Sequence, residues 1–186
     1  MITRLGLIDY GMGNIHSVYN QCRRLGHTPE ISSKPEIINR ADKLILPGVG
    51  HFKKGMEKIY SYNLIESLNE KVLKQKTPIL GICLGMQLMI IEYCRNVLKL
   101  PQAGSEELPN YNPNVIVQMK DCKGSLGGTM RLGKHKIQLT NSQSLKIYGN
   151  AEIHERHRHR YIVDKQYLHD LNKSGFHIVG KCPSSD

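Results

Sequence analysis

The chain has 186 residues, a formal net charge of +10 and five cysteines, and 39% of its residues are hydrophobic. Its length fits one domain with a full core, and its ordinary apolar content excludes a disordered chain. No apolar run approaches the length of a membrane span and the N-terminus lacks a signal-peptide pattern, so we expect a cytoplasmic protein without membrane association.

The first half of the chain alternates strands and helices. Strands are predicted at Leu5–Asp9, Pro29–Ser33, Lys43–Leu46 and Thr77–Leu80. Helices are predicted from Asn14 to about Leu25, at Pro35–Arg40, at Lys53–Gln75 with a break at Asn63, and at Leu88–Leu98. This alternation indicates an α/β fold with a doubly wound, mostly parallel sheet of the flavodoxin-like kind. The turns at Gly11, Gly48 and Cys83 then open on its carboxyl edge, where active sites of such sheets lie.

The second half changes in composition after about Leu100, where Pro, Gly, Asn and Ser become frequent. Short strands are predicted at Val115–Val117, Lys136–Leu139, Tyr161–Val163 and Phe176–Val179, with a Gly-rich loop at Gly124–Gly133 and a short helix at Lys165–Lys173. Their pattern predicts added antiparallel strands that extend the first sheet. We therefore expect a single domain over residues 1–186.

The segment Gly81-Ile82-Cys83-Leu84-Gly85 has the form of a nucleophile elbow, with a thiol at a strand-to-helix junction. A sharp turn holds such a nucleophile clear of its own backbone and tolerates only small neighbours, here Gly81 and Gly85. The helix that follows directs its N-terminus at the sulfur, which favours a thiolate. The alternative is a buried cysteine in a tight turn. The scattered cysteines contain no C-x-x-C pair, which argues against a disulfide framework and suits a reducing cytosol.

A second small-residue turn, Pro47-Gly48-Val49-Gly50, ends the preceding strand. Small residues allow backbone N–H groups to converge on an oxyanion, although an ordinary Pro-Gly turn has the same composition. The pair Gly11-x-Gly13 is discounted as a dinucleotide fingerprint because the third glycine of that motif is absent.

Three motifs resemble the class I (triad) glutamine amidotransferases: Asp9–Asn14, Leu46–Gly50 and Gly81–Gln87. Residues 1–89 are most similar to the glutaminase subunit of imidazole glycerol phosphate synthase. Residues 81–186 resemble the amidotransferase domain of CTP synthase, through Ile91–Leu98, Gly104–Glu107, Gly127–Gly133 and Glu155–Tyr161. The sequence therefore combines features of two relatives, and the change between them falls in or just after Gly81–Leu88.

The resemblance implies a role for each matched residue. Cys83 would attack the glutamine side-chain amide and form a γ-glutamyl thioester. The backbone of Val49, Gly50 and Leu84 would form the oxyanion hole, and the substrate would be held by Gln87, Glu107 and Arg160. Glu107 matches the carboxylate that binds the α-ammonium, and Arg160 matches the arginine that binds the α-carboxylate. Arg131 lies in a segment that matches the GTP-sensing lid of CTP synthase. The implied partners are L-glutamine and a synthase or cyclase subunit that receives ammonia, with no cofactor and no metal.

The tract His154–Arg160 alternates histidine and arginine. We interpret it first as a substrate-binding strand, then as solvated charge, and last as a metal-binding tract. In a strand, His157 and His159 would share one face. Nucleic-acid binding is not favoured, since the dispersed lysines lack the interleaved aromatic residues of a base-stacking platform.

Thiol catalysis of this kind needs a base and a group that orients it. In the family both lie in a His-Pro-Glu motif near the C-terminus, and the sequence contains no His-Pro-Glu. We therefore expect a domain truncated at its C-terminus, with little or no turnover. The alternative hypothesis is a catalytically inactive interaction module that keeps Gly11–Asn14 and the elbow edge as a docking face.

Overall fold

The computed structural model describes residues 3–108, 110–119 and 130–183. The chain divides into two compact units, which are unit 1 (Met1–Glu92) and unit 2 (Tyr93–Asp186). The expectation that the whole chain is one amidotransferase domain stays a prediction.

Unit 1 is a parallel sheet with helices on the connections between its strands. Its strands are β1 (Leu5–Ile8), β2 (Glu30–Ser32), β3 (Lys43–Gly48) and β4 (Ile79–Cys83). Its helices are α1 (Ile15–Arg24), α2 (Pro35–Arg40), α3 (Phe52–Ser61), α4 (Leu64–Leu68) and a π-helical segment (Asn69–Lys74), followed by α5 (Leu84–Asn96), which continues into unit 2. The strand order is β2-β1-β3-β4, and all three pairings are parallel. The predicted doubly wound α/β sheet is thereby confirmed.

Helix α1 begins where the sequence predicts. The Asn14 side chain accepts a hydrogen bond of 3.2 Å from the Ser17 N–H and so caps the helix. Val18 and Cys22 pack against a core of Leu7, Ile15 and Ile45. The helix ends at Arg24, and Leu25, which follows it, has a side chain that is 76% exposed.

The long helical stretch is interrupted at Asn63, as the sequence predicts. Asn63 adopts a left-handed conformation with φ 54°, which ends α3 and allows α4 to start in a new direction. Asparagine tolerates this conformation because its short side chain can hydrogen-bond locally.

The strand and the helix that meet at the elbow both extend further towards each other than the sequence predicts. The expected strand ended at Leu80 and the expected helix began at Leu88, whereas β4 continues to Cys83 and α5 begins directly at Leu84. The reason is the pairing of β4 with β3, which extends as far as Gly48 opposite Cys83. Ladder bonds to a neighbouring strand are not visible in local periodicity.

In the part of unit 2 that the structure describes, there are two small sheets and two further helices. Its strands are β5 (Gly104–Ser105), β6 (Asn114–Gln118), β7 (Arg131–Leu139), β8 (Glu152–His159), β9 (Tyr161–Val163) and β10 (Gly180–Lys181). Its helices are α6 (Ser142–Tyr148) and α7 (Leu168–Lys173), the latter preceded by a 3₁₀ turn (Lys165–Tyr167). The sheet orders are β10-β7-β8 and β5-β6-β9, and every pairing except that of β5 with β6 is antiparallel.

The structure corrects two predictions for this half of the chain. The expected extension of the first sheet is wrong, since within the described residues these strands pair only with one another. The expected strand at Phe176–Val179 is also wrong, because Phe176 packs edge-on against Tyr93 at 5.1 Å and the pairing strand starts at Gly180. Helix α6 and strand β5 were not predicted. Of the predicted Gly-rich loop, residues 124–129 lie outside the described residues, and residues 131–133 belong to β7.

The packing of α5 on β3 predicts a large effect of one methyl group. A Cβ at Gly85 would overlap the carbonyl oxygen of Leu46, which belongs to a buried strand and cannot move aside. We expect Gly85→Ala to lower the free energy of unfolding by about 3 kcal/mol, measured by urea denaturation. The matched control is Gly26→Ala, where a Cβ meets open space but the backbone φ is +81°. Its cost should be about 1 kcal/mol. Equal losses in the two variants would contradict the packing argument.

Candidate active site

Three turns of unit 1 meet at the carboxyl edge of its sheet. They follow β1, β3 and β4, and the register places Gly48 of β3 directly opposite Cys83 of β4. Gly13, in the turn after β1, lies against Gly48, since a Cβ on Gly13 would be 3.6 Å from the Gly48 Cα. The parallel register therefore brings the predicted oxyanion turn beside the predicted nucleophile.

Cys83 occupies a backbone conformation that is rare for its residue type. Its φ is +57°, in the left-handed region that non-glycine residues seldom adopt. Such strain persists only where the surrounding structure imposes it, and it concentrates at functional sites. The thiol is exposed, and helix α5 begins at the next residue, so that the unpaired N–H groups of its first turn lie at this end of the strand. The predicted elbow thus has the backbone geometry expected of a nucleophile turn.

Gly81 and Gly85, on either side of Cys83, lie so close to neighbouring backbone that neither position has room for a side chain. A Cβ at Gly81 would lie 2.8 Å from backbone atoms of Gly85 and Met86. A Cβ at Gly85 would overlap the backbone of Leu46. Both positions therefore exclude any larger residue, as the motif predicts.

The other cysteines of the described chain contrast with Cys83. Cys94 is buried, and its burial raises the pKa of the thiol to about 11. Cys22 is half-buried against the α1 face of the core. An exposed thiol on a strained turn is the environment in which a cysteine acts as a nucleophile, whereas a thiol such as that of Cys94 is inert.

The predicted oxyanion residues lie beside the elbow in unit 1. Val49 is 54% exposed, and Gly50 has a φ of +99°, which only glycine adopts without strain. Leu84, which directly follows Cys83, is buried and packs towards Gly55 of α3. Gln87, one helical turn past Cys83, is 7% exposed and is among the few buried polar side chains. Unit 1 therefore holds the thiol, the turn and Gln87 on one edge.

Glu107 and Arg160 lie in unit 2 and share a neighbour. Glu107 follows β5, and its N–H donates to the Ser105 hydroxyl at 3.3 Å. Arg160 separates β8 from β9, and its carbonyl accepts the Met119 N–H at 3.1 Å. Burial first, and then the charges of Glu107 and Glu106, raise the pKa of Tyr161, while Arg160 lowers it. The structure thus brings a carboxylate and a guanidinium within electrostatic range of one phenol.

Arg131 begins β7 and lies opposite His159 of β8. Alternate residues of this hairpin share a face, and the predicted shared face of His157 and His159 is confirmed by a contact of 2.9 Å between His157 Nδ1 and His159 Nε2. His159 Nδ1 in turn lies 3.1 Å from the Tyr161 carbonyl, and His135 packs against His157 with ring centroids 5.2 Å apart. Burial, followed by the charges of His159, His135 and Arg131, lowers the pKa of His157 to about 4.

Two kinds of feature are not found in the described residues. Within residues 3–108, 110–119 and 130–183, no cluster of three or more His, Cys, Asp or Glu side chains is arranged to hold a metal ion. Over the same ranges, no helix is both long enough and apolar enough to cross a membrane.

Sequence patterns did not single out Tyr10, which the structure places at this edge. Its side chain is fully buried, and a Cβ on Gly48 would collide with its hydroxyl. Within the motif Asp9–Asn14 nothing distinguishes an inward tyrosine from an outward one, since neighbouring turn residues have no regular periodicity.

Known proteins resemble the chain over most of its length. The family model for class-I glutamine amidotransferases matches residues 6–186. The CTP synthase of Chlamydia abortus is 40% identical over 153 residues, which is 80% of this chain and 27% of that protein. The imidazole glycerol phosphate synthase subunit HisH 2 of Methanococcus maripaludis is 51% identical over 85 residues, which is 46% of this chain and 42% of that protein. The chain thus spans only about a quarter of the length of the CTP synthase.

Solved structures show the same fold. The glutaminase domain of Trypanosoma brucei CTP synthase with bound acivicin superposes with a TM-score of 0.69 at 24% identity, covering 94% of this chain and 73% of that one. A glutamine amidotransferase from Thermotoga maritima gives a TM-score of 0.51 at 15% identity, covering 87% of this chain and 62% of that one. At these identities the likeness concerns the fold alone.

The lowered pKa of His157 predicts a pH-dependent stability. As the pH falls from 6.5 towards 4, the unfolded chain binds a proton at this imidazole and the folded chain does not, so the folded state loses relative stability. We expect the melting temperature of the wild type to fall more steeply across this window than that of His157→Gln. His154→Gln, an exposed histidine of the same strand, is the control and should fall as steeply as the wild type. Parallel curves for wild type and His157→Gln would refute the prediction.

Proposed function

Because the chain belongs to the class I glutamine amidotransferases, we propose that it binds L-glutamine and attacks the side-chain amide with Cys83. The sulfur forms a bond to the amide carbon, the carbon–nitrogen bond breaks, and ammonia leaves with the proton that the thiol gave up, carried to the nitrogen by solvent or a base. The product on the protein is a γ-glutamyl thioester, which water then hydrolyses to glutamate.

The observation that carries this proposal is the conformation of Cys83. An exposed thiol on a strained strand-to-helix turn, opposite Gly48 in the adjacent strand, is what nucleophilic attack requires. The backbone N–H groups of Val49, Gly50 and Leu84 are the donors that we assign to the developing oxyanion. Pre-oriented backbone donors need little rearrangement as negative charge develops on the carbonyl oxygen.

Recognition of glutamine needs one anion and one cation, since its α-amino acid end is a zwitterion. We assign Glu107 to the α-ammonium and Arg160 to the α-carboxylate, with Gln87 as a further substrate contact. Both residues lie in unit 2, and the charge of Glu107 contributes to the raised pKa of Tyr161, which directly follows Arg160 in the chain. An arginine can bind a carboxylate through two parallel hydrogen bonds, which fixes the orientation of the substrate.

The ammonia is proposed to pass to a synthase partner. Relatives of this chain include a CTP synthase and a subunit of imidazole glycerol phosphate synthase. An ammonia acceptor in pyrimidine or histidine synthesis is therefore the proposed destination. Arg131, at the start of β7, is proposed as a residue of a lid over the site.

Turnover by this chain alone is expected to be small. The sequence contains no His-Pro-Glu motif, which would supply the base and the group that orients it. Without a base, attack depends on the fraction of Cys83 that is ionised in solution. Covalent reaction at Cys83 is therefore a more direct test of the proposal than release of ammonia.

A glutamine-analogue diazoketone should label Cys83 in a saturable manner. In the analogue a ketone carbon stands at the place of the amide carbon, and the diazo carbon stands at the place of the amide nitrogen, so that binding brings both to the thiol. The diazo carbon takes up a proton and loses dinitrogen as it forms the bond to sulfur. We expect one label per chain in intact mass spectra, lost in Cys83→Ala and kept in Cys22→Ala. Equal labelling of wild type and Cys83→Ala would disprove the role of Cys83.

Variants of the proposed zwitterion subsite should separate recognition from reactivity. Arg160→Gln and Glu107→Gln should each reduce labelling by the glutamine analogue at low concentration about tenfold or more, because each removes one charge-assisted contact. Neither should change the alkylation of Cys83 by iodoacetamide, which carries no α-amino acid group. Lys165→Gln, a neutralised cation on the 3₁₀ turn, is the matched control. If both variants are labelled by the analogue with the same concentration dependence as the wild type, Arg160 and Glu107 do not bind the substrate as proposed.

A specific observation also favours an interaction module. In the described residues β4 pairs only with β3, and apolar side chains of this edge are exposed, Leu80 by 57%, Ile82 by 37% and Met86 by 41%. Exposed apolar groups of this kind are typical of docking surfaces. Co-purification with a cyclase subunit of imidazole glycerol phosphate synthase, without labelling of Cys83, would favour this alternative. Absence of association at micromolar concentration would count against it.

A further inference from the structure

Tyr10 contains a buried hydroxyl group that the described residues leave without a hydrogen-bond partner. The side chain is 0% exposed, and its hydroxyl is the buried side-chain atom of the described chain for which no partner is found. An unpaired buried hydroxyl costs free energy, whereas phenylalanine would fill the same volume without that cost. The presence of tyrosine therefore calls for a reason other than packing.

The hydroxyl lies where the oxyanion turn meets the elbow. A Cβ built on Gly48 would collide with the Tyr10 hydroxyl oxygen. That Cβ position is also 2.9 Å from Leu84 Cβ and 3.1 Å from the Gly85 nitrogen. Tyr10 thus reaches from the turn after β1, beneath Gly48, to the backbone that directly follows Cys83. The phenol oxygen is therefore close to the nucleophile turn while remaining out of solvent.

The electrostatics couple this phenol to the nucleophile. Burial first, and then the charge of Cys83, raise the pKa of Tyr10 far above its ordinary value. The phenol consequently keeps its proton at any pH at which the protein would work, and remains a donor. Other titratable groups on these turns are Asp9, whose carboxylate accepts the Gly11 N–H at 3.1 Å, and His51, which precedes α3. Tyr62, after α3, places its hydroxyl beside Gly11.

We propose that Tyr10 is a positioning residue for Cys83. The buried O–H dipole of Tyr10 turns towards the Cys83 sulfur as negative charge develops there, and it stabilises the thiolate. The hydroxyl hydrogen rotates about the C–O bond, so this requires no movement of the ring. No proton passes from Tyr10: the thiol proton leaves to solvent or to a base, and the phenol keeps its own. The inference rests on the proposed function only in taking Cys83 as the nucleophile.

The test is alkylation of Cys83 by iodoacetamide in Tyr10→Phe, followed by peptide mass spectrometry over a range of pH. Carbon–iodine cleavage accompanies formation of the sulfur–carbon bond, so the rate reports the thiolate. Near neutral pH we expect the variant to react about fivefold to tenfold more slowly than the wild type, as loss of a donor to a charged group predicts. At strongly alkaline pH, where the thiol is ionised in both proteins, the rates should converge.

The matched control is Tyr19→Phe, which removes a phenol hydroxyl from the half-buried face of α1 and should leave both rates unchanged. Thermal unfolding of each variant checks that the fold is kept. Equal rates at neutral pH, or a slowing of the same size at every pH, would overturn the inference, because the second result is what altered packing alone produces.

The labelling experiments distinguish the two proposals. Iodoacetamide does not depend on glutamine recognition, whereas the glutamine-analogue diazoketone does. If the wild type shows no saturable labelling by the analogue, the proposed function is rejected. If Tyr10→Phe still slows the iodoacetamide reaction in a pH-dependent manner, the coupling of Tyr10 to Cys83 is retained.

Discussion

Close approach of the elbow to strand β3 is the constraint on which the site depends. Gly85 lies so near the backbone of Leu46 that no side chain fits between them, and Gly48 faces Cys83 in the ladder. The two contacts pin the start of α5 against the end of β3. Cys83 lies at the junction of β4 and α5, where its backbone adopts a φ of +57°. Tight packing thus supplies the energy that keeps the strained backbone of Cys83 in place.

The same constraint explains why the neighbouring turns contain small or buried residues. Gly48 has no room for a side chain, because a Cβ there would collide with the Tyr10 hydroxyl. Gly13 has a φ of +132°, which only glycine adopts without strain. Tyr10 is a large side chain that is admitted there, and it fills the space beneath Gly48. The carboxyl edge of unit 1 therefore combines closely packed backbone with the buried hydroxyl of Tyr10 and the exposed thiol of Cys83.

Unit 2, considered by itself, holds several charged and titratable side chains on its short strands. Its short strands hold Glu107 and Arg160 near Tyr161, and its hairpin aligns His157 and His159 on one face beside Arg131. Likeness to a CTP synthase extends over 80% of the chain, and likeness to an imidazole glycerol phosphate synthase subunit extends over 46% of it.

The sequence by itself determined the features that depend on neighbouring residues: the α/β alternation of unit 1, the bounds of α2, the break at Asn63 and the glycine spacing around Cys83. Local sterics and periodicity decide these, and they are written in consecutive residues. Only the tertiary structure decided that β4 reaches Cys83, that the later strands form sheets of their own, and that Tyr10 turns inward beneath Gly48. Each of these depends on contacts between residues far apart in the chain, and such contacts leave no pattern in either segment alone.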